Sequence, residues 1–258
     1  MVFADIGDEL TLSRGTRGLE FALEGPFGGE IAADQSNLVV RARDALLSSA
    51  ADPPRGFRLT LNKRLPIASG LGGGSADAAA ALRLLRRAFA LRVTDNRLHE
   101  IAGRLGSDVT ACLHGRPAIA SGRGNVLSPA PVLPPLHLVL ANPRVASSTA
   151  AVYQAYDSSP AEADSPVAPR AFASVAEAAR YLRTRRNDLE APAVRLQPRI
   201  GDVLRVLAAQ PETILARMSG SGATCFALCE SGASASALSA RLRRAQPDWW
   251  IMVTRAGG

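Results

Sequence analysis

The sequence predicts an α+β protein divided into two domains, and three observations carry that prediction. Its 258 residues are 47% hydrophobic, enough for one or two domains that each bury a core. Such a composition excludes a disulfide mini-protein, a collagen-like repeat and a disordered tail. Short segments of alternating hydrophobicity interleave with segments of helical period, without internal repeat. Near residues 141–148 the first set of elements gives way to a second, so the domains are expected at 1–143 and 144–258.

Taken in order, residues 2–12 read as strand and turn, so the chain is expected to open inside structure. Residues 19–23 alternate as a second strand. Asp34 and Ser36 offer N-cap oxygens for a helix over 38–47. Residues 57–61 alternate as a third strand, which runs through Lys63-Arg64-Leu65-Pro66 into a glycine-rich turn. A helix over 78–91 follows, with Leu82, Leu85 and Phe89 on one face and Arg83 and Arg87 on another. Thr94 caps a second helix that ends at Gly106, and Ser107 caps a short third one. Strands are expected at 118–121 and 136–140, and the Ser-, Pro- and Ala-rich stretch 157–170 reads as a linker. The remainder gives helices at 175–182, 200–209 and 233–244 and strands at 224–228 and 250–254.

Charge and cysteine usage narrow the partners. Thirty Lys and Arg against 23 acids give a net charge of +7, and 29 of those cations are arginine; Lys63 is the one lysine. The excess is even, with 16 cations and 13 acids in residues 1–129 and 14 and 10 in residues 130–258. That distribution argues against a nucleic-acid-binding arm. The densest patches, Arg83-Arg86-Arg87, Arg183-Arg185-Arg186 and Arg241-Arg243-Arg244, fall in helical patterns and read as solvated faces. Cys112, Cys225 and Cys229 have no disulfide-like spacing, and Cys225 and Cys229 sit at alternate strand positions. His99, His114 and His137 form no metal-ligand pattern. No apolar run reaches membrane-span length, so a soluble, cytoplasmic protein is expected.

Four segments can carry chemistry. The first is Pro66-Ile67-Ala68-Ser69-Gly70-Leu71-Gly72-Gly73-Gly74-Ser75-Ala76, a glycine-dense loop between a strand and a helix. Glycines let backbone N–H groups turn inward, and the helix start adds its positive dipole end, so the segment reads as a phosphate cradle. Ser75 lies at the helix start, where its hydroxyl can cap the helix or meet a metal-bound phosphate. The loop is neither a Walker A sequence, which requires Lys after the last glycine, nor a dinucleotide fingerprint, which requires a glycine at Ser75. The second segment is Leu105-Gly106-Ser107-Asp108, with Asp108 in the first turn of a helix. There it can compensate the dipole or accept a proton from a hydroxyl. Asn187-Asp188-Leu189-Glu190 reads as a helix-capping segment, and Met218-Ser219-Gly220-Ser221-Gly222-Ala223 as a glycine turn into a strand.

Together and in this order, the four segments resemble the GHMP kinase superfamily, and the match runs from Val2 to the last strand. The resemblance implies an N-terminal ATP-binding domain similar to the second domain of ribosomal protein S5 and a ferredoxin-like C-terminal domain. It implies an ATP:alcohol phosphotransferase of isoprenoid precursor synthesis by the non-mevalonate route, using ATP and Mg²⁺. The substrate would be a small molecule, a cytidine diphosphate ester of methylerythritol, phosphorylated at its 2-hydroxyl. Residues 66–76 would hold the ATP phosphates, with Ser75 near Mg²⁺ and Asp108 as the catalytic base. Asn187, Asp188, Gly220, Ser221 and Gly222 would lie on the substrate or phosphate side. No nucleic-acid or membrane partner is implied, and the protein would be a monomer or homodimer.

The sequence also departs from that pattern. Members of the superfamily branch begin with a strand carrying Lys-x-Asn, whose lysine pairs with the catalytic aspartate, and then a Gly-Tyr-His segment. Neither occurs here, and Met1-Val2-Phe3 begins just after them. Lys63 does not replace that lysine by motif, because it sits on the strand leading into the phosphate loop. Ala76 stands where many members have a second serine. The chain is therefore expected to be impaired, and three readings stay open. It is a kinase whose recorded start is late, a different small-molecule GHMP kinase, or a truncated inactive relative that binds nucleotide or RNA. The triple glycine and residues 187–190 favour the first.

Overall fold

The computed structural model describes residues 1–122, 124, 126–157 and 169–257. These form two units: Met1 with residues 7–67 and 72–129, and residues 2–6 and 68–71 with the chain from residue 130 onward.

In the first unit, β1 (Glu9–Arg14), β2 (Leu19–Glu24) and β3 (Phe57–Asn62) form a sheet of order β1-β3-β2. β1 runs antiparallel to β3, with Leu10 opposite Leu61 and Leu12 opposite Leu59. β2 runs parallel to β3, which requires a crossover; α1 (Leu38–Leu47) lies in that connection. The alternation of β3 sends Phe57, Leu59 and Leu61 into the core, each 1% exposed or less. α1 packs on α2 (Gly73–Ala88), and α4 (Ser107–His114) packs on both α2 and α3 (Asp95–Leu105). Ala78, Ala81, Leu82 and Leu85 supply the buried stripe of α2 at helical spacing. β4 (Ala118–Ser121) and β5 (Val126–Pro129) make a separate antiparallel pair.

In the second unit, β6 (Leu136–Asn142) is followed by α5 (Thr149–Asp157), α6 (Val175–Arg183), α7 (Glu190–Leu196) and α8 (Pro198–Ala208). Then come β7 (Thr213–Met218), β8 (Cys225–Cys229), α9 (Gly232–Ala245) and β9 (Trp250–Ala256). The sheet order is β7-β8-β6-β9, antiparallel throughout, which is the ferredoxin-like arrangement expected of this half. The sheet is buried on both faces. Val139, Ala141, Cys225, Ala227 and Cys229 pack with Ile200, Val203 and Leu207 of α8 and Leu238 and Leu242 of α9. Leu136, Leu138, Leu140 and Leu228 pack with Phe172, Ala178 and Ala179. Cys225 and Cys229 are free, and burial pushes their thiols up to about 12 and about 11.

The structure moves several expected boundaries. α1 is capped by Asn37, whose Oδ1 accepts the Val39 N–H at 2.9 Å. Asp34 Oδ1 instead accepts from the Ser36 backbone and hydroxyl, closing a local turn before the cap. α2 starts five residues earlier than expected, at Gly73: Gly72 caps it at φ 68°, and the Ala76 N–H closes the first turn onto the Gly72 carbonyl. Ser107 is the first residue of α4, and Gly106 holds the cap position. β5, α5, α7 and β7 are short elements beyond those expected; α7 holds Pro192 in its first turn, where no N–H is needed. Of the expected linker at 157–170, residues 158–168 lie outside the described residues.

Leu238→Ala, which empties a fully buried position of α9, is expected to cost about 2–5 kcal/mol in urea unfolding. Val132→Ala, at a side chain 69% exposed, is expected to stay within about 0.5 kcal/mol. Equal costs at the two positions would contradict this core.

Candidate active site

The glycine loop begins where β3 ends. Lys63 follows β3 directly, and its Nζ lies 2.5 Å from Asp8 Oδ2 and 2.7 Å from Asp77 Oδ2. All three side chains are out of water, at 5%, 0% and 8% exposure. Asp8 uses its other oxygen to accept the Arg64 and Leu65 N–H groups at 2.6 and 2.9 Å. Two carboxylates thus share one ammonium in the core. Burial raises the Asp77 carboxyl from 3.8 to about 6, against the pull of Lys63 and with help from Asp8.

The far side of the loop is the start of α2. The N–H groups of Gly73, Gly74 and Ser75 precede the first helical acceptor pairing, so they have no partner inside the helix. The first turn carries no acidic residue. That combination suits an anion, because the N–H groups and the dipole both favour negative charge. Ser75 is half-buried in this first turn and is not the cap. Gly73 is packed tightly: a Cβ there would sit 3.2 Å from Lys63 Nζ and 3.4 Å from Asp8 Oδ2.

Asp108 is exposed in the first turn of α4. One turn on, the Cys112 thiol is pushed up to about 11, first by burial and then by the charge of Asp108. Lys63, being held by Asp8 and Asp77, does not pair with Asp108.

Residues 68–71 of the loop belong to the second unit, where they meet the second glycine turn. The Ser69 carbonyl accepts the Thr224 N–H at 3.0 Å, and the Gly70 carbonyl accepts the Ser219 hydroxyl at 3.0 Å. Gly70 sits at φ 72°, and a Cβ there would fall 2.3 Å from the Ser219 carbonyl and 2.7 Å from that of Gly222. Only glycine permits both that conformation and that approach. Asn187 Nδ2 donates to the Met218 and Gly220 carbonyls at 3.2 and 2.8 Å, so the 187–190 segment holds the turn. Asp188 is not part of that contact; it pairs with Arg186 at 2.6 Å.

Sequence reasoning missed much of this support. Ser147 Oγ donates to the Ser221 carbonyl, Thr149 shares a hydrogen bond with Ser221 Oγ, and buried Asn142 donates to Thr224 Oγ1 at 2.9 Å. None of the three has a local signal, because each reaches more than 70 positions along the chain. Asp77 did have one: it shares the α2 stripe of Ala81 and Leu85, four and eight residues on, which marks it as buried.

Comparison with known proteins now decides the family. Residues 37–116 match the profile of the GHMP kinases N terminal domain, and residues 170–248 match GHMP kinases C terminal. The chain belongs to the GHMP kinases. The first match contains the glycine loop and Asp108, the second Asn187 and the Gly220–Gly222 turn. Over 262 residues the chain is 53% identical to the 4-diphosphocytidyl-2-C-methyl-D-erythritol kinase of Caulobacter sp. (strain K31), covering 100% of this chain and 89% of that protein. It is 43% identical to the enzyme of that name from Parvibaculum lavamentivorans, with the same coverage. A crystal structure of 4-(cytidine 5'-diphospho)-2C-methyl-D-erythritol kinase superimposes with a TM-score of 0.75 at 34% identity, covering 100% of this chain and 88% of that one. A homoserine kinase from Cytophaga hutchinsonii, at 18% identity and a TM-score of 0.70, shares the fold. This GHMP kinase is therefore an enzyme that transfers a phosphoryl group from ATP. Among the described residues no helix is long and apolar enough to cross a membrane.

The buried pair gives a pH test. Because the Asp77 carboxyl is raised on folding, its contribution to stability is complete below about pH 3.8 and is lost as pH rises through about 6. Asp77→Asn removes that titration. The difference in thermal midpoint between wild type and variant is expected to shift steadily in the variant's favour between these two pH values. A constant difference across that window would show that Asp77 titrates as an ordinary carboxylate.

Proposed function

We propose that the protein phosphorylates the 2-hydroxyl of 4-diphosphocytidyl-2-C-methyl-D-erythritol with ATP, a step toward isoprenoid precursors by the non-mevalonate route. The observation that carries this reading is the glycine loop feeding an acid-free helix start, in a chain 53% identical across its length to an enzyme of that name. Phosphoryl transfer asks the protein for positioning and charge stabilisation more than for covalent chemistry. Residues 66–76 would supply the positioning, with backbone N–H groups of the loop and of Gly73, Gly74 and Ser75 donating to phosphate oxygens.

ATP would enter as its Mg²⁺ complex, which neutralises charge on the transferring group. Among the described residues no three His, Cys, Asp or Glu side chains gather as a metal cage. Mg²⁺ would be held through substrate phosphates, with Ser75, half-buried in the first turn of α2, as its protein neighbour. Asp108 would act as base: it takes the proton of the 2-hydroxyl while that oxygen bonds to the γ-phosphorus. The bond from that phosphorus to the bridging oxygen breaks, and ADP leaves. Asn187 would act through the Gly220–Gly222 turn, which it holds against Gly70 by way of two carbonyls.

Asp108→Asn is expected to lower turnover by about 10²–10⁴-fold, while Mg²⁺-ATP still raises the thermal midpoint as it does in the parent protein. Coupled ADP release measures the first and a thermal melt the second. Undiminished turnover in the variant would remove Asp108 from the role of base.

A further inference from the structure

We propose that Lys63, Asp8 and Asp77 are positioning residues that clamp the two ends of the glycine loop together and thereby set its affinity for ATP. The inference rests on the reading of residues 66–76 as the phosphate-binding loop. Asp8 fixes the approach to the loop through the Arg64 and Leu65 N–H groups. Asp77, the fifth residue of α2, lies just beyond the loop's exit. Lys63 Nζ joins the two carboxylates at 2.5 and 2.7 Å. The seven residues between Leu65 and Gly73 are thus closed by an ion cluster at their base.

Such a cluster is a poor way to gain stability. Burying three charges is costly, and apolar side chains of similar volume would often do as well or better. What it supplies is direction: each contact has one geometry. The cluster also reaches the helix start itself, because Gly73 has room for no Cβ without crowding Lys63 Nζ at 3.2 Å. A loop whose ends are held in register gives up less conformational freedom when it closes on phosphates.

Isothermal titration of Mg²⁺-ATP into the full chain tests the clamp, with the dissociation constant reporting the loop and the stoichiometry the folded fraction. Lys63→Met and Asp77→Ala are each expected to bind roughly tenfold more weakly or worse, the scale of a lost charge-assisted hydrogen bond. Asp77→Asn keeps an oxygen for the Lys63 ammonium and is expected to stay within about twofold of the parent. If both disruptive variants lose stoichiometry yet keep the parent's dissociation constant, the cluster is structural only and the clamp is overturned. If Lys63→Met does not fold, the two Asp77 variants decide, and equal constants for Ala and Asn overturn it. A parent protein that takes up no ATP overturns the phosphate-loop reading and the clamp with it. A parent that binds beside unaffected variants removes the clamp alone.

Discussion

A single ammonium shared by two buried carboxylates fixes the loop side of the first unit. The sheet register delivers its members. Glu9 faces Asn62 across β1 and β3, so Asp8 and Lys63, one step further along each strand, arrive at the same level. β2 braces the same point, because the Lys63 N–H donates to the Glu24 carbonyl at 2.8 Å. A one-residue slip of β1 would turn Asp8 to the other face and leave Lys63 and Asp77 without it. The pairing of the strands and the charge cluster therefore specify each other, and the start of α2 follows from both.

The second unit solves a similar problem mostly with neutral groups. Its glycine turn is held by Asn187 on two carbonyls, by Ser147 and Thr149 on Ser221, and by Asn142 on Thr224. Each of these donors satisfies a backbone or hydroxyl oxygen that would otherwise be costly to enclose, and the half-buried Glu190 carboxylate accepts the Met218 N–H at 3.2 Å. The contact with Gly70 is backbone on backbone. Gly220, at φ 53°, would place a Cβ 2.9 Å from the Gly70 carbonyl, so both glycines are required by the same approach. Residues 68–71 are pinned there by two hydrogen bonds, from Thr224 and from the Ser219 hydroxyl.

These two solutions explain what could be read from the sequence. Strand and helix periods are local, so β2, β3, α1, α6, α8 and α9 stood out, and the glycine loop declared itself by density alone. The start of α2 did not, because glycines carry no helical period and the helix begins inside the glycine run. α7 was hidden by its seven residues and its proline, and β7 by side chains half-buried on both faces. At the candidate site the loop, Asp108 and Asn187 were legible as motifs. Their supports were not: Asp8 and Lys63 are 55 positions apart, and Asn142 and Thr224 are 82 apart. A motif is read within one local segment, whereas these supports are long-range and leave no spacing to recognise.

The composition carries one trace of that hidden layer. Of 30 cations, 29 are arginine, and the sole lysine occupies the buried cluster. Arginine serves at exposed carboxylates and at carbonyl groups, as at Arg58 with Glu20 or Arg83 with the Cys112 carbonyl. At residue 63 the neighbours are Asp8 on one side, Asp77 on another and the Gly73 backbone close by. A compact ammonium with three donors fits that space; a planar five-donor guanidinium is larger and would press on the helix start. A sequence that otherwise uses arginine throughout thus keeps lysine at the position where size and donor geometry decide, and the odd residue of the composition marks the site on which the loop is built.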